Sequence, residues 1–294
     1  MNQYIKLDRV EFVITKACSS RCKHCSWGEC PSSGSGITAD AAISAIKRLT
    51  ERFDIKSVMT FGGEPLLFAD TVAKIHATAR DCGISERSLI TNGYFSRDER
   101  KINEVAKALC DSGVNDVLLS VDAFHQEFIP IDPVIQFAEA LLLHGIPNFR
   151  VHPAWVVNEA NDNPYNTETR RLLKIFTDKG IRASGGNDIF PSGNALKYLA
   201  EYYPPSGEVD LSVQCGSAPY TSRPDEIDCL NITPDGEIHA CSAIGNIYDD
   251  DVLGIIDRYD PYDIPALRAV LDGGVAGLLS YAEPKLANIN KMLR

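Results

Sequence analysis

Cys18, Cys22 and Cys25 place three thiols within eight residues, in the run Cys18-Ser19-Ser20-Arg21-Cys22-Lys23-His24-Cys25. Thiolates are soft donors, and three on one short loop can converge on a single soft metal centre. A cubane needs four iron ligands, so three cysteines leave one iron open to something exchangeable. Two blander readings stand beside this one. The thiols could be structural, or could bind zinc with His24 or Cys30 as fourth ligand, although zinc loops more usually carry two separated pairs with two-residue gaps. The chain has nine cysteines, an odd number, and reads as an intracellular one, where thiols stay unpaired.

A second group of residues can act on a ligand. In Gly62-Gly63-Glu64-Pro65 two glycines let the backbone approach a bound molecule, and Glu64 adds an acceptor for a positive group. Taken alone, that tetrapeptide could be a simple turn. Ser120 and Asp122 are two apart and share a face, and Asn92 ends an earlier apolar run. Each of the three could instead cap the helix that follows. His125 lies just beyond Asp122, facing substrate or water. Arg150 and His152 share a face that lines a cavity if it is inward, and His144, before Gly145, reads as a dipole-facing helix end.

The elements that must carry these residues alternate strand with helix. Val10, Phe12 and Ile14 alternate with polar neighbours, as a strand does. Thr38 reads as an N-cap, with Ile43, Ile46, Leu49 and Phe53 marking a helical face. Further strands are predicted at Val58–Phe61, Ser88–Thr91, Val117–Val121 and Phe149–Val157, with a weaker sixth at Ile181–Ser184. Helices between them follow Val72, Ile75 and Ala79, then 98–109, then a segment opened by Asp132 and Pro133, then 167–179. That repetition predicts parallel strands with right-handed crossovers. The expected fold is α/β, a partial (β/α)6 TIM-like barrel over residues 1–190, with a small C-terminal α+β cysteine-containing appendage and C-terminal helices over 191–294. After residue 190 Pro and Gly become frequent, as in Pro204-Pro205-Ser206-Gly207, and Pro234-Asp235-Gly236 signals a hairpin between Cys229–Thr233 and Glu237–Cys241.

With the cysteine loop after the first strand and the Gly-Gly-Glu-Pro run after the second, the sequence resembles the radical SAM superfamily over roughly residues 8–190. Its hallmark is three cysteines with three-residue and two-residue gaps, an aromatic position before the last one being taken here by His24. The resemblance implies a 4Fe–4S cluster on Cys18, Cys22 and Cys25, with S-adenosylmethionine bound at the open iron. It implies that Gly62, Gly63, Glu64 and Pro65 meet the methionyl ammonium, and that Asn92, Ser120 and Asp122 meet its carboxylate or ribose. It also implies reductive cleavage to a 5′-deoxyadenosyl radical that abstracts hydrogen from substrate.

Cys215, Cys229 and Cys241, with Gly236 five residues before Cys241, resemble the start of the SPASM or twitch auxiliary-cluster regions, which implies a second 4Fe–4S cluster. No cysteine follows Cys241, so a single auxiliary cluster is expected, or a degenerate relic with Cys229 as core. Pro191-Ser192-Gly193-Asn194-Ala195 resembles a segment often found before such regions, an arginine being commoner at the Asn194 position. Cys82 and Cys110 read as buried packing. Cys30, on the cluster loop, is a candidate catalytic thiol or hydrogen donor.

The family resemblance points to modification of a ribosomally made peptide by crosslinking, epimerisation or oxidation, with a reductant such as flavodoxin or ferredoxin as partner. The barrel begins within about ten residues, so no N-terminal peptide-recognition domain is expected before it. The alternatives are a dehydrogenase or related enzyme on a small metabolite, or an activase of a partner protein. From another class comes a non-catalytic zinc or electron-transfer protein. A net charge of −11, from 29 Lys+Arg against 40 Asp+Glu, repels phosphate backbones and argues against nucleic acid. No long apolar run suggests a membrane span, and a cytoplasmic protein is expected.

Overall fold

The computed structural model describes residues 2–203, 211, 213, 215–216 and 222–292, the last stretch with side chains to residue 283. The predicted Pro204–Gly207 segment lies outside the described residues. The chain alternates β1 (Ile5–Val13), α1 (Ala39–Thr50), β2 (Ser57–Phe61), α2 (Ala69–Asp81), β3 (Glu86–Thr91), α3 (Glu99–Asp111) and β4 (Asp116–Ser120). It continues through α4 (Ala123–Gln126), α5 (Ile131–His144), β5 (Asn148–His152), β6 (Ala154–Trp155), α6 (Pro164–Thr177), β7 (Asn187–Asp188) and α7 (Asn194–Tyr198). Strands β8 (Ile227–Ile232), β9 (Glu237–Ala240) and β10 (Ser242–Asn246) precede helices α8 (Val252–Asp257) and α9 (Pro265–Met292).

Alternating apolar side chains drive this architecture. Val10, Phe12 and Ile14 stand on one face of the first strand and are buried with Ala42, Ile46 and Leu49 of α1 in the main core. Helix α3 turns Ile102, Val105, Ala106 and Leu109 inward at helical spacing. Strands β1 to β5 pair in parallel, each with the next, as helical crossovers require.

Three expectations are adjusted. The fifth strand breaks at Pro153, which has no N–H to give a ladder, leaving β5 and the short β6. The sixth strand shrinks to a parallel bridge between Val151 and Ala183, after which β7 pairs with β6. Helix α5 starts at Ile131 after Pro130, one residue before the expected Asp132 cap. The hairpin forms as predicted, and it also joins the barrel: β8 pairs in parallel with β1. The sheet therefore runs β10-β9-β8-β1-β2-β3-β4-β5 and stays open.

Inside the curve, the end opposite the cysteine loop is filled with polar side chains. Asp116 accepts hydrogen bonds from Ser88 (3.2 Å) and Asn148 (2.5 Å) and pairs with the Arg150 guanidinium. Arg150 is thus committed to Asp116 instead of lining the cavity above. Replacing Asp116 with Ala strands that cation, and the expected result is a stability loss of about 3 kcal/mol in denaturant titration, with the iron content of reconstituted protein unchanged.

Candidate active site

The strand ends of β1 to β5 and the loops after them surround a cavity of about 340 Å³. Cys18, Cys22, Cys25 and Cys30 all line it, with Gly62, Gly63, Asn92, Ser120, Asp122, His24, His125 and His152. The cysteine loop has no helix or strand of its own, and backbone bonds hold it. Gly63 N–H donates to the Thr15 carbonyl and Glu64 N–H to the Ala17 carbonyl, each at 2.8 Å. A Cβ on Gly63 would come within 2.1 Å of the Ala17 oxygen, so glycine is needed here for contact between two loops as well as with any ligand.

Glu64 is placed differently from the sequence expectation. Its side chain is fully buried and lies directly behind the cavity lining, against Thr91 and Asn92. The carboxylate accepts from the Thr91 hydroxyl (2.6 Å), Asn92 N–H (2.8 Å) and Leu66 N–H (2.9 Å). Burial pushes its pKa up to about 7 against those three bonds. Glu64 therefore ties the rim of β2 to the end of β3, and Pro65 opens the short turn behind it. Asn92, held by this tie, directs its amide toward Ser19 Oγ (3.3 Å) and Cys18 Sγ (3.6 Å).

The sulfur atoms sit among donors. Ser20 N–H points at Cys18 Sγ (3.4 Å), and Ser20 Oγ lies 2.9 Å from Cys22 Sγ. Cys25 is lowered to about 6 by a hydrogen bond with Cys30, against burial and with help from the Trp27 and Gly28 N–H groups. Cys30 moves the opposite way because it keeps the shared proton. Cys18 is raised to about 11 by burial. Soft sulfurs collected among N–H and O–H donors suit a soft, negatively charged cluster, whose bridging and thiolate sulfurs accept such bonds.

Asp122 and His125 form a buried pair that sequence reasoning only half anticipated. Asp122 caps α4, accepting from the Phe124 and His125 N–H groups at 3.0 Å, and also accepts from the Ala154 N–H (3.2 Å). Both its oxygens lie 2.9 Å from His125 Nδ1. Burial works against both charges, yet the pairing wins: Asp122 is lowered and His125 is raised, with Cys22 adding to the latter. The Asp122 carboxylate is thereby engaged by protein, while Ser120 remains a half-buried part of the lining. His24 packs on Phe124 and His125, each at 5.0 Å between ring centres, and burial lowers it to about 4. His152, bonded to Ser184 Oγ (2.7 Å), does face the cavity, whereas His144 ends α5 and bonds Asn103.

The second cysteine set divides. The hairpin ladder pairs Asn231 with His239 and Ile232 with Ile238, and carried further it would oppose Cys229 to Cys241. Cys241 instead takes a left-handed backbone, φ 63°, between β9 and β10. Its thiol reaches the Ser222 carbonyl (3.4 Å), near Asp228 and Cys215. Cys229 alternates away from Asp228, pairs in register with Arg9, and lies near Glu11 at the polar end of the barrel interior. Burial pushes it up to about 12. Cys241 thus lies near Cys215, and Cys229 near Arg9 and Glu11.

Residues that the sequence reading passed over complete the cavity. Trp27, Phe61, Asn187, Asp188, Ile189 and Phe190 line it, and Trp27 (45% exposed) and Phe190 (57%) stand at its mouth. Trp27, two residues after Cys25, had a sequence signal in its place on the cysteine loop; the others are brought there only by the fold.

Comparison with known proteins agrees with this layout. The family profile described as the Radical SAM superfamily matches residues 12–184. A GTP 3',8-cyclase from Rhodopirellula baltica is 24% identical over 272 residues, covering 80% of this chain and 74% of that protein. Another, from Limosilactobacillus fermentum, is 30% identical over 134 residues, or 43% of this chain. The chain spans 37%, 36% and 37% of three such relatives, so these matches rest on little more than a third of each. Among solved structures, native anSMEcpe with bound AdoMet superimposes with a TM-score of 0.54 at 15% identity, covering 97% of this chain and all of that one. Streptococcus suis SuiB bound to precursor peptide SuiA gives 0.53 at 13% identity, covering 86% and 65%. Both share the fold.

Two outcomes test this geometry. Glu64→Gln sets an amide donor against backbone N–H groups, and a loss of about 2 kcal/mol in stability is expected, with lower iron retention on desalting. Cys229→Ser should leave the iron content of anaerobically reconstituted protein at the parental value by colorimetric assay.

Proposed function

The chain belongs to the radical SAM superfamily, and from that premise we propose that it modifies a peptide substrate, with Cys18, Cys22 and Cys25 as the cluster ligands. It is an enzyme, and its cofactors are a 4Fe–4S cluster and S-adenosylmethionine, which sets aside the non-catalytic zinc or carrier alternative. When bound, these cofactors supply a 5′-deoxyadenosyl radical that removes a hydrogen atom from an otherwise unreactive carbon.

The protein's own groups bind, orient and exclude water. Gly62 and Gly63 keep the cavity wall bare, Glu64 holds that wall to β3, and Asn92 and Ser120 are the polar groups we assign to the nucleoside or methionyl part. Asp122 acts as a positioning residue through His125. An external one-electron donor such as flavodoxin or ferredoxin belongs to the same reading.

One observation carries the substrate class: the mouth is aromatic, and of the cations in the lining His125 is already paired with Asp122. Arg21 is the lone Lys or Arg among the lining residues described, Asp188 lies in the same wall, and Trp27 and Phe190 flank the opening. A nucleoside triphosphate brings about four negative charges, and a chain of net charge −11 offers little there to hold them. Peptide side chains against Trp and Phe need no such clamp. The structural neighbour crystallised with a precursor peptide is consistent with this reading. The relatives described as GTP 3',8-cyclases favour the competing nucleotide reading, and the two separate in one assay.

Under anoxia with dithionite, reconstituted enzyme is expected to form 5′-deoxyadenosine and to change the mass of members of a synthetic peptide pool, returning added GTP intact. Cyclised GTP with unaltered peptides would transfer the assignment to the nucleotide. Cys22→Ala should abolish 5′-deoxyadenosine formation in either case.

A further inference from the structure

The cysteine loop is also held from far along the chain. Asn194, first residue of α7, donates its backbone N–H to the Cys25 carbonyl (2.9 Å) and its Nδ2 to the Cys22 carbonyl (3.0 Å). Asn194 is 6% exposed, so both bonds are shielded from water. The residue before it fits only as glycine. Gly193 has φ 53°, and a Cβ there would come within 2.4 Å of the Ser26 oxygen and 2.6 Å of the Cys25 oxygen. Ala195, Ile189 and Leu199 pack with Cys22 and Phe124 in a small core separate from the main one, with Cys25 against its edge. Lys197 pairs with Glu29 (3.2 Å) on the outer side.

A carbonyl held by a buried donor holds the peptide plane and the Cα at its edge, and so restricts the ψ rotation that aims the Cα–Cβ bond of the cysteine that owns it. We propose that Asn194 is a positioning residue for the iron–sulfur loop, aiming the Cys22 and Cys25 sulfurs by clamping their carbonyls. This rests on the assignment of those cysteines as cluster ligands. The short stretch 187–194 then does two things: Asn187 to Phe190 form one wall of the cavity, and Gly193 and Asn194 grip the metal-binding loop. An arginine there would keep the backbone bond to Cys25 but lacks the short side-chain amide that reaches the Cys22 carbonyl.

The test uses the full chain, reconstituted with iron and sulfide under anoxia. Asn194→Ala removes one buried donor and is expected to speed loss of the cluster to a ferrous chelator about tenfold, and to alter the electron paramagnetic resonance signal and midpoint potential of the reduced cluster. Asn194→Asp, which turns a carboxylate oxygen on the Cys22 carbonyl, should be worse. Asn194→Gln, which keeps an amide donor, should move back toward the parent. A residue with only a general structural role would shift the thermal midpoint of cluster-free protein and leave signal and potential alone; that result, or parental chelator rates for both Ala and Asp, overturns the proposal. Hydrogen exchange of the unaltered protein gives a second measurement: the Asn194 amide should exchange more slowly with the cluster than without it, and equal rates count against the clamp. Cys22→Ala separates the two levels. If that variant still holds a full cluster, the ligand assignment fails; if it loses the cluster while the Asn194 series matches the parent, only the clamp fails.

Discussion

A loop that carries three thiolates but has no regular structure must be held still by hydrogen bonds to its own main chain. Ordering each residue costs about 1–2 kcal/mol of backbone entropy, and the loop between β1 and α1 offers no helix or ladder to offset that. Some ties lie within the loop and others come from outside it. Thr15 and Ala17 accept from the Gly-Gly-Glu turn, Cys18 N–H reaches the Pro31 carbonyl (2.8 Å), and the Cys22 and Cys25 carbonyls are taken by Asn194. The rest of the fold serves to bring these donors to one rim.

Buried charge is managed by the same economy of contacts. Glu64 lies beneath the rim with three donors on its oxygens, and Asp122 faces three backbone N–H groups and the His125 ring. Both carboxylates are engaged by the protein's own donors. Each holds a strand end in place, leaving less buried groups such as Asn92 and Ser120 turned to the cavity. An unpaired carboxylate at either place would carry a heavy desolvation penalty, so these partners are a condition of the groups being there at all.

The open edge of the barrel explains where the wall of the cavity comes from. Once Pro153 breaks the fifth strand and the sixth is only a bridge, the main sheet ends at β5, with the short β6–β7 pair beyond it among the described residues. The segment 187–195 fills the gap with side chains and backbone bonds, placing Phe190 at the mouth and Asn194 on the metal loop. On the far side of the sheet, β8 extends β1, which draws Cys229 into the barrel interior and away from the hairpin surface.

Spacing along the chain was enough to identify what depends on local order. The gaps between Cys18, Cys22 and Cys25, the Gly62-Gly63 pair, the strand-helix alternation and the Pro234-Asp235-Gly236 turn are properties of neighbouring residues, and periodicity reports them directly. Direction was another matter. The place of the Glu64 carboxylate depended on Thr91 and Asn92, and the direction of the Cys241 thiol on a left-handed backbone at that residue. The Asn194 bond spans 172 positions, and no local pattern encodes a contact of that range. Sequence determined which groups were available; only the tertiary structure decided which of them faced one another, because side-chain direction is set by the partners that packing brings together.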